Sequence, residues 1–266
     1  MTLATTKRTV KEITSASMQL YKNGLIKALP LCALYFLILF ALQLVQQFAY
    51  AQPGLSHGMR VTLTVVLPLI NFIAQPIIFA AVIYTLHRFA HGEATHYKMA
   101  LGYSLRRAPH LLLGYILFVL LMAIGTLLFV IPGLIAFVSF TFFYMFVLFD
   151  NSNGFRSLSG SAKLVWPHWG RTALVLLFSI LIFVVLGLVA AFAISFITYL
   201  LAHFIGYLPG HLNPSVTAHN FTIVTTTLVP TLLLPLPAAF MLNQYYDLKI
   251  RQAERAEAAN QDVAAP

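Results

Sequence analysis

Four stretches of the chain, 28–59, 61–87, 108–149 and 172–246, contain no Asp, Glu, Lys or Arg. Runs of that length without a charge cannot all be buried in the core of a 266-residue soluble domain, because the outer face of each element would have to be polar. Lipid is the solvent that accepts them. The composition agrees: 60% of residues are hydrophobic and 9% charged, against about a quarter charged in soluble proteins. A soluble enzyme and a disordered tail are thereby excluded. So is a nucleic-acid binder, despite a formal charge of +9, since the basic residues sit in short blocks between apolar runs. The one cysteine, Cys32, lies within an apolar run, which leaves no disulfide framework and no thiol metal cluster.

A helix rises 1.5 Å per residue and the hydrocarbon core is ~30 Å thick, so about 20 apolar residues make one span. This length divides the runs into six spans, at about 28–50, 61–86, 111–130, 134–149, 172–204 and 221–242. The run 108–149 is too long for one crossing, and Ile131-Pro132-Gly133 is the turn expected within it. Gln52-Pro53-Gly54 and the turn-rich stretch 206–214 separate the other pairs. The expected fold is all-α: a single membrane domain over 1–248, six helices in three hairpins, followed by a tail at 249–266.

Charge sets the orientation. Lys7, Arg8, Lys11, Lys22 and Lys27 precede the first span. Arg88, Lys98, Arg106 and Arg107 follow the second; Arg156, Lys163 and Arg171 follow the fourth; and Lys249, Arg251 and Arg255 follow the sixth. With six spans these all fall on one side, and Arg60 alone is opposite. Basic loops resist translocation, so that side is expected to be cytoplasmic, with both termini facing in.

Each hairpin is preceded by a basic, amphipathic segment expected to lie in the membrane interface. In the strongest, Phe155, Leu158, Ala162, Val165, Trp166 and Trp169 fall on one helical arc flanked by Arg156, Ser159 and Lys163. Segments 10–25 and 97–108 repeat the plan, with Ser17, Ser104 and Ser161 in equivalent places. Trp166 and Trp169 at headgroup depth, with Arg156, Lys163 and Arg171 near lipid phosphates, form the expected lipid-headgroup set.

The stretches Phe129-Val-Ile-Pro-Gly-Leu-Ile135, Phe149-Asp-Asn-Ser-Asn-Gly154 and Ser161-Ala-Lys-Leu-Val-Trp-Pro-His-Trp-Gly-Arg171 resemble the signature of the YciC-like bacterial inner-membrane proteins. Related sequences form the membrane domain of some glycerophosphodiester phosphodiesterases. Gln19-Leu-Tyr-Lys-Asn23 and Tyr245-Tyr-Asp-Leu-Lys-Ile-Arg251 are similar to the opening and ending of such domains. The resemblance implies six helices in a bacterial inner membrane. It brings no catalytic residues.

Enzyme motifs are nearly absent. Gly54-Leu-Ser56-His-Gly58 matches G-x-S-x-G but reads as turn chemistry, with no strand-to-helix context and no acid beside its histidine. Asp150 and Asp247 read as interfacial charges that end spans. His87-x3-His91 with Glu93 and His96 is the one constellation with metal-ligand chemistry; the favoured reading is polar residues just past a helix end, so no metal or other cofactor is expected. Asn71 and Gln75, one turn apart near Pro68 and Pro76, mark a candidate polar cavity. The function expected is non-catalytic: organisation of the envelope through anionic lipid, or through another membrane protein. The alternative is a permease for a small neutral or amphiphilic solute.

Overall fold

The computed structural model describes residues 6–52, 54, 56–206 and 227–264. Among them the regular structure is all helical. Two long helices come first, α1 (Val10–Ala51) and α2 (His57–Ala90). They are followed by α3 (Tyr97–Arg106), α4 (Ala108–Leu128), α5 (Val130–Phe140), α6 (Phe143–Phe149) and α7 (Gly154–Val165). A 3-10 turn at Trp166–His168 leads into α8 (Trp169–Gly206); α9 (227–233) and α10 (Pro235–Ala264) complete the order. Six helical segments are long and apolar enough to cross a membrane, as the charge-free runs predict. The chain is thus an all-α, multi-pass membrane protein. The expected loop at 206–214 and the start of the sixth span at 221 lie outside the described residues.

Two boundaries differ from the expectation. The turn in run 108–149 falls at Phe129, whose backbone is extended (φ −163°, ψ 156°), rather than at Ile131-Pro132-Gly133. Pro132 and Gly133 instead occupy the first turn of α5, where proline's missing donor costs nothing because an amide at that position has no partner inside the helix. The segment 134–149 is also two helices: the chain departs from α-helical geometry at Thr141-Phe142 between α5 and α6. The Ser161 hydroxyl joins this break, donating to the Ser139 carbonyl (2.7 Å) and accepting from the Phe142 amide (3.2 Å). A buried amide released from helix pairing is therefore not left unpaired.

The described chain divides into two compact units, each built from discontinuous pieces because the long helices run through both. The first comprises residues 1–28, 76–180 and 235–266. Its core is α6, every residue of which from Phe143 to Leu148 is buried, together with Phe142, Ile83, Leu86, Leu111, Leu236, Phe240 and Leu242. Small residues permit close approach: a Cβ on Gly125 of α4 would lie 2.8 Å from the Gly133 amide of α5, and one on Gly154 of α7 would lie 2.9 Å from the Gly114 amide of α4. Ser17, Ser104 and Ser161, equivalent in sequence, are all fully buried. The second unit comprises residues 29–75 and 181–234, in which the Tyr35 hydroxyl donates to Asn71 (3.1 Å) and the Thr227 hydroxyl donates to Gln43 (2.7 Å).

Packing of α4 on α5 predicts that Gly125→Val is destabilising, by about 1–3 kcal/mol for overpacking, because the atoms it meets are backbone. Gly102→Ala, with nothing within 4 Å of the new Cβ, should be neutral or slightly stabilising. Thermal unfolding of both variants in one detergent measures the contrast.

Candidate functional site

Several charges of the first unit gather into one layer built on α10. Asp247 is completely buried, yet it ends an apolar helical run. Its carboxylate accepts from the Arg8 backbone amide (2.8 Å), from Arg171 Nη2 (3.0 Å) and from Arg251 Nε (2.8 Å). Burial of a carboxylate requires such pairing. Two of the donors also reach the Arg8 carbonyl, Arg171 Nη2 and, at 3.1 Å, Arg251 Nη2. Arg8 in turn donates its Nη1 to Asn243 (3.2 Å). One aspartate thus ties the segment before α1, the start of α8 and the middle of α10. The expectation of a plain interfacial charge at position 247 is corrected: the side chain points inward, and Arg251 is its partner one helical turn on.

The layer continues through Asp150 at the end of α6. Lys249 Nζ pairs with it at 2.8 Å, and the Tyr245 hydroxyl lies 3.3 Å from both of its oxygens. Lys249 also stands over the Phe146 ring, 5.0 Å from its centroid. Arg107, at the start of α4, donates to the Val147 carbonyl (2.7 Å) and to the Asn151 side chain. Asn151 itself has φ +52°, a left-handed conformation that asparagine tolerates. Asn153 then caps α7 by accepting from the Arg156 amide (3.0 Å).

The metal-ligand constellation is taken apart by these contacts. His87 Nε2 meets the Tyr246 hydroxyl at 2.7 Å, and His91 Nδ1 meets the His87 carbonyl at 2.8 Å. The two rings meet at a tilt, with centroids 4.3 Å apart, and Phe149 stacks on His87 at 4.2 Å. Glu93 pairs with Arg88 at 2.8 Å. Among the described residues no group of three or more His, Cys, Asp or Glu is placed to hold a metal, His96 included. His211 and His219 lie outside them.

The expected lipid-headgroup set divides. Helix α7 forms, but it turns Gly154, Ser157, Leu158, Ser161, Leu164 and Val165 into the protein, leaving Phe155 (65% exposed) and Trp166 (67%) outward. The wheel placed Leu158 and Val165 toward lipid; they pack against protein because Gly154, Ser157 and Ser161 beside them allow close contact. Arg171 is held by Asp247. Arg156 and Lys163 are exposed and have no side-chain partner among the described residues. Trp166 and Trp169, which follow α7 in the chain, join Ile131, Leu134 and Ile135 around an apolar cavity of about 480 Å³.

In the second unit Asn71 lines a smaller cavity of about 260 Å³ with Gln43, Gln46, Pro68 and Thr227. Gln75 is not in its wall. Gln43 and Gln46 went unread although they are polar residues inside a charge-free span, the same signal that singled out Asn71.

No protein-family model, no curated protein and no solved structure matches this chain.

The two aspartates should separate in strength. Asp247→Asn leaves two guanidinium groups without their buried partner, and ~3 kcal/mol or more should be lost. Asp150→Asn, in a pair with side chains about one-third exposed, should lose about 1 kcal/mol or less. Equilibrium unfolding in mixed micelles checks the order.

Proposed function

We propose that this protein is a non-catalytic component of a bacterial inner membrane, both termini cytoplasmic, that supports envelope organisation by binding anionic lipid on its charged face. The observation that carries this reading is the α7 surface. Arg156 and Lys163 stand exposed, without a side-chain partner among the described residues, on the helix that leads into Trp166 and Trp169, which wall an apolar cavity. Exposed cations on a helix that ends in indole rings walling an apolar cavity suit lipid, a phosphate headgroup for the cations and an acyl chain for the cavity. Arg171 is left out of this headgroup set, since Asp247 already neutralises it. The cytoplasmic orientation rests on the alternation of basic blocks. The motifs over 129–171 support placing the chain with the YciC-like proteins.

A permease for a small neutral or amphiphilic solute is the second reading, favoured by the cavity that Gln43, Gln46, Asn71 and Thr227 line within the second unit. Its amides and hydroxyl provide hydrogen bonds without a charge that could couple to an ion gradient.

Trp166 and Trp169 are the only tryptophans, so intrinsic emission reports on the cavity directly. In nanodiscs, anionic lipid should shift the emission of the parent protein relative to neutral lipid. Arg156→Gln with Lys163→Gln should abolish the shift and weaken lipid retention by about 1 kcal/mol per cation, less at high salt. Identical emission in both lipids would remove the lipid reading. Solute flux into liposomes, unaffected by that double substitution, would favour the permease.

A further inference from the structure

The α4–α5 pair is the most lipid-like element of the first unit, and both of its ends meet the charged layer. At its base, Arg107 is bonded to Val147 and Asn151, next to Asp150. Asp150 is bonded in turn to Tyr245 and Lys249 of α10, and Asp247 and Arg251 follow on the same helix. Tyr245 to Arg251 covers only ~9 Å of helix. Trp169 opens α8 two residues before Arg171, ~3 Å along the axis, and Arg171 is bonded to Asp247. The base of α4 and Trp169 therefore belong to one thin layer.

The tip of the hairpin reaches that same layer. Ile131, Leu134 and Ile135, in the first turns of α5, wall a single cavity with Trp166 and Trp169. A hairpin standing along the membrane normal would carry its tip ~30 Å from Arg107, the length of α4. The observed tip instead comes back to residues that adjoin the charges. Helix α7, whose two ends also meet the layer, packs along both α4 and α5.

We propose that the α4–α5 hairpin enters and leaves the membrane on the charged face without crossing it, and that its outer surface takes the acyl chains of one leaflet. Four of the six apolar segments then cross, and the sides of the two termini are unchanged, because a hairpin that returns and a hairpin that crosses twice have the same parity. This inference does not depend on the lipid-headgroup reading.

Three observations support lipid as the partner of this surface. Ile116, Leu120, Ile124 and Leu127 recur at intervals of three to four residues and are all about half exposed or more, so one stripe of α4 faces outward. The tip from Leu127 to Ile131 is 64–89% exposed without one polar side chain, whereas the α1–α2 connection carries Gln52, Ser56, His57 and Arg60. A tip emerging into water would expose large apolar side chains there; a tip in lipid needs its backbone satisfied. That need is met in part: the Phe129 amide bonds Gly125 (3.0 Å), the Gly133 amide reaches Phe129 (3.5 Å), and Pro132 has no amide hydrogen. Of the three amide donors that open α5, that of Gly133 is bonded and those of Val130 and Ile131 are left to the first turn.

The test uses cysteine accessibility in the full-length protein with Cys32→Ala. Single cysteines replace Ser56, Lys98, Leu127 and Ile131, the last two 89% and 70% exposed, with Leu127 outside the cavity that Ile131 walls. A membrane-impermeant maleimide is applied to sealed vesicles of each orientation, and bimane attached at 127 or 131 is reconstituted with lipids brominated on the acyl chain. Positions 56 and 98 should label from opposite sides. Positions 127 and 131 should resist reagent from the side that labels 56, by at least tenfold in rate, and bromolipid should quench their bimane. Labelling of 127 or 131 from the side of position 98 also fits a hairpin at that face. Labelling at the rate of position 56, from the same side, would establish a crossing hairpin and overturn the proposal. So would bimane that is neither labelled from outside nor quenched.

Discussion

A carboxylate with no exposure to water organises the charged half of this molecule. Asp247 sits at the end of an apolar helical stretch and collects one backbone amide and two guanidinium groups, from three separate segments of chain. Removing a carboxylate from water costs several kcal/mol, and only close, directional donors offset that cost. The geometry is consequently specific. Arg171 must open α8 beside α10, and the segment carrying Arg8 must lie across both. Without such a junction the long apolar helices, nearly featureless on their surfaces, would have little to set their register at this end.

Around that junction the other contacts fall into place by the same rule, that polar groups near lipid be paired locally. Asp150 finds Lys249 and Tyr245; Arg107 finds the Val147 carbonyl of α6; Ser161 joins the two sides of the break between α5 and α6. On α7, Arg156 and Lys163 stay exposed without a side-chain partner among the described residues, and the helix leads into the two tryptophans of an apolar cavity. The division between spent and free cations is what makes this face a candidate for lipid, since a paired arginine offers a phosphate little.

The apolar helices were legible because charge is so costly in hydrocarbon that its absence alone outlines them. Finer features were less legible where the deciding force is tertiary. The α7 wheel identified a helix but mistook its inner face: wheels score hydrophobicity, whereas Gly154, Ser157 and Ser161 are selected for closeness. Pro132-Gly133 announced a turn, yet proline suits the first turn of a helix as well as a loop, and the chain bends at Phe129. Asp247 resembled an ordinary helix-ending charge; its spacing of four from Arg251 was the available clue. Nothing in the local sequence at Thr141-Phe142 announces a break, because the amide it frees is satisfied by a serine about twenty residues away.

The account depends most on Asp247 and Arg171 acting as one unit rather than as two interfacial charges. A double-mutant cycle over Asp247→Asn and Arg171→Gln, with unfolding free energies measured in bicelles, isolates their coupling. Groups in contact within one network should deviate from additivity by about 1–3 kcal/mol, the double variant being less damaged than the sum of the singles. Additivity to within about 0.5 kcal/mol would show that each charge is solvated independently, and would contradict the junction.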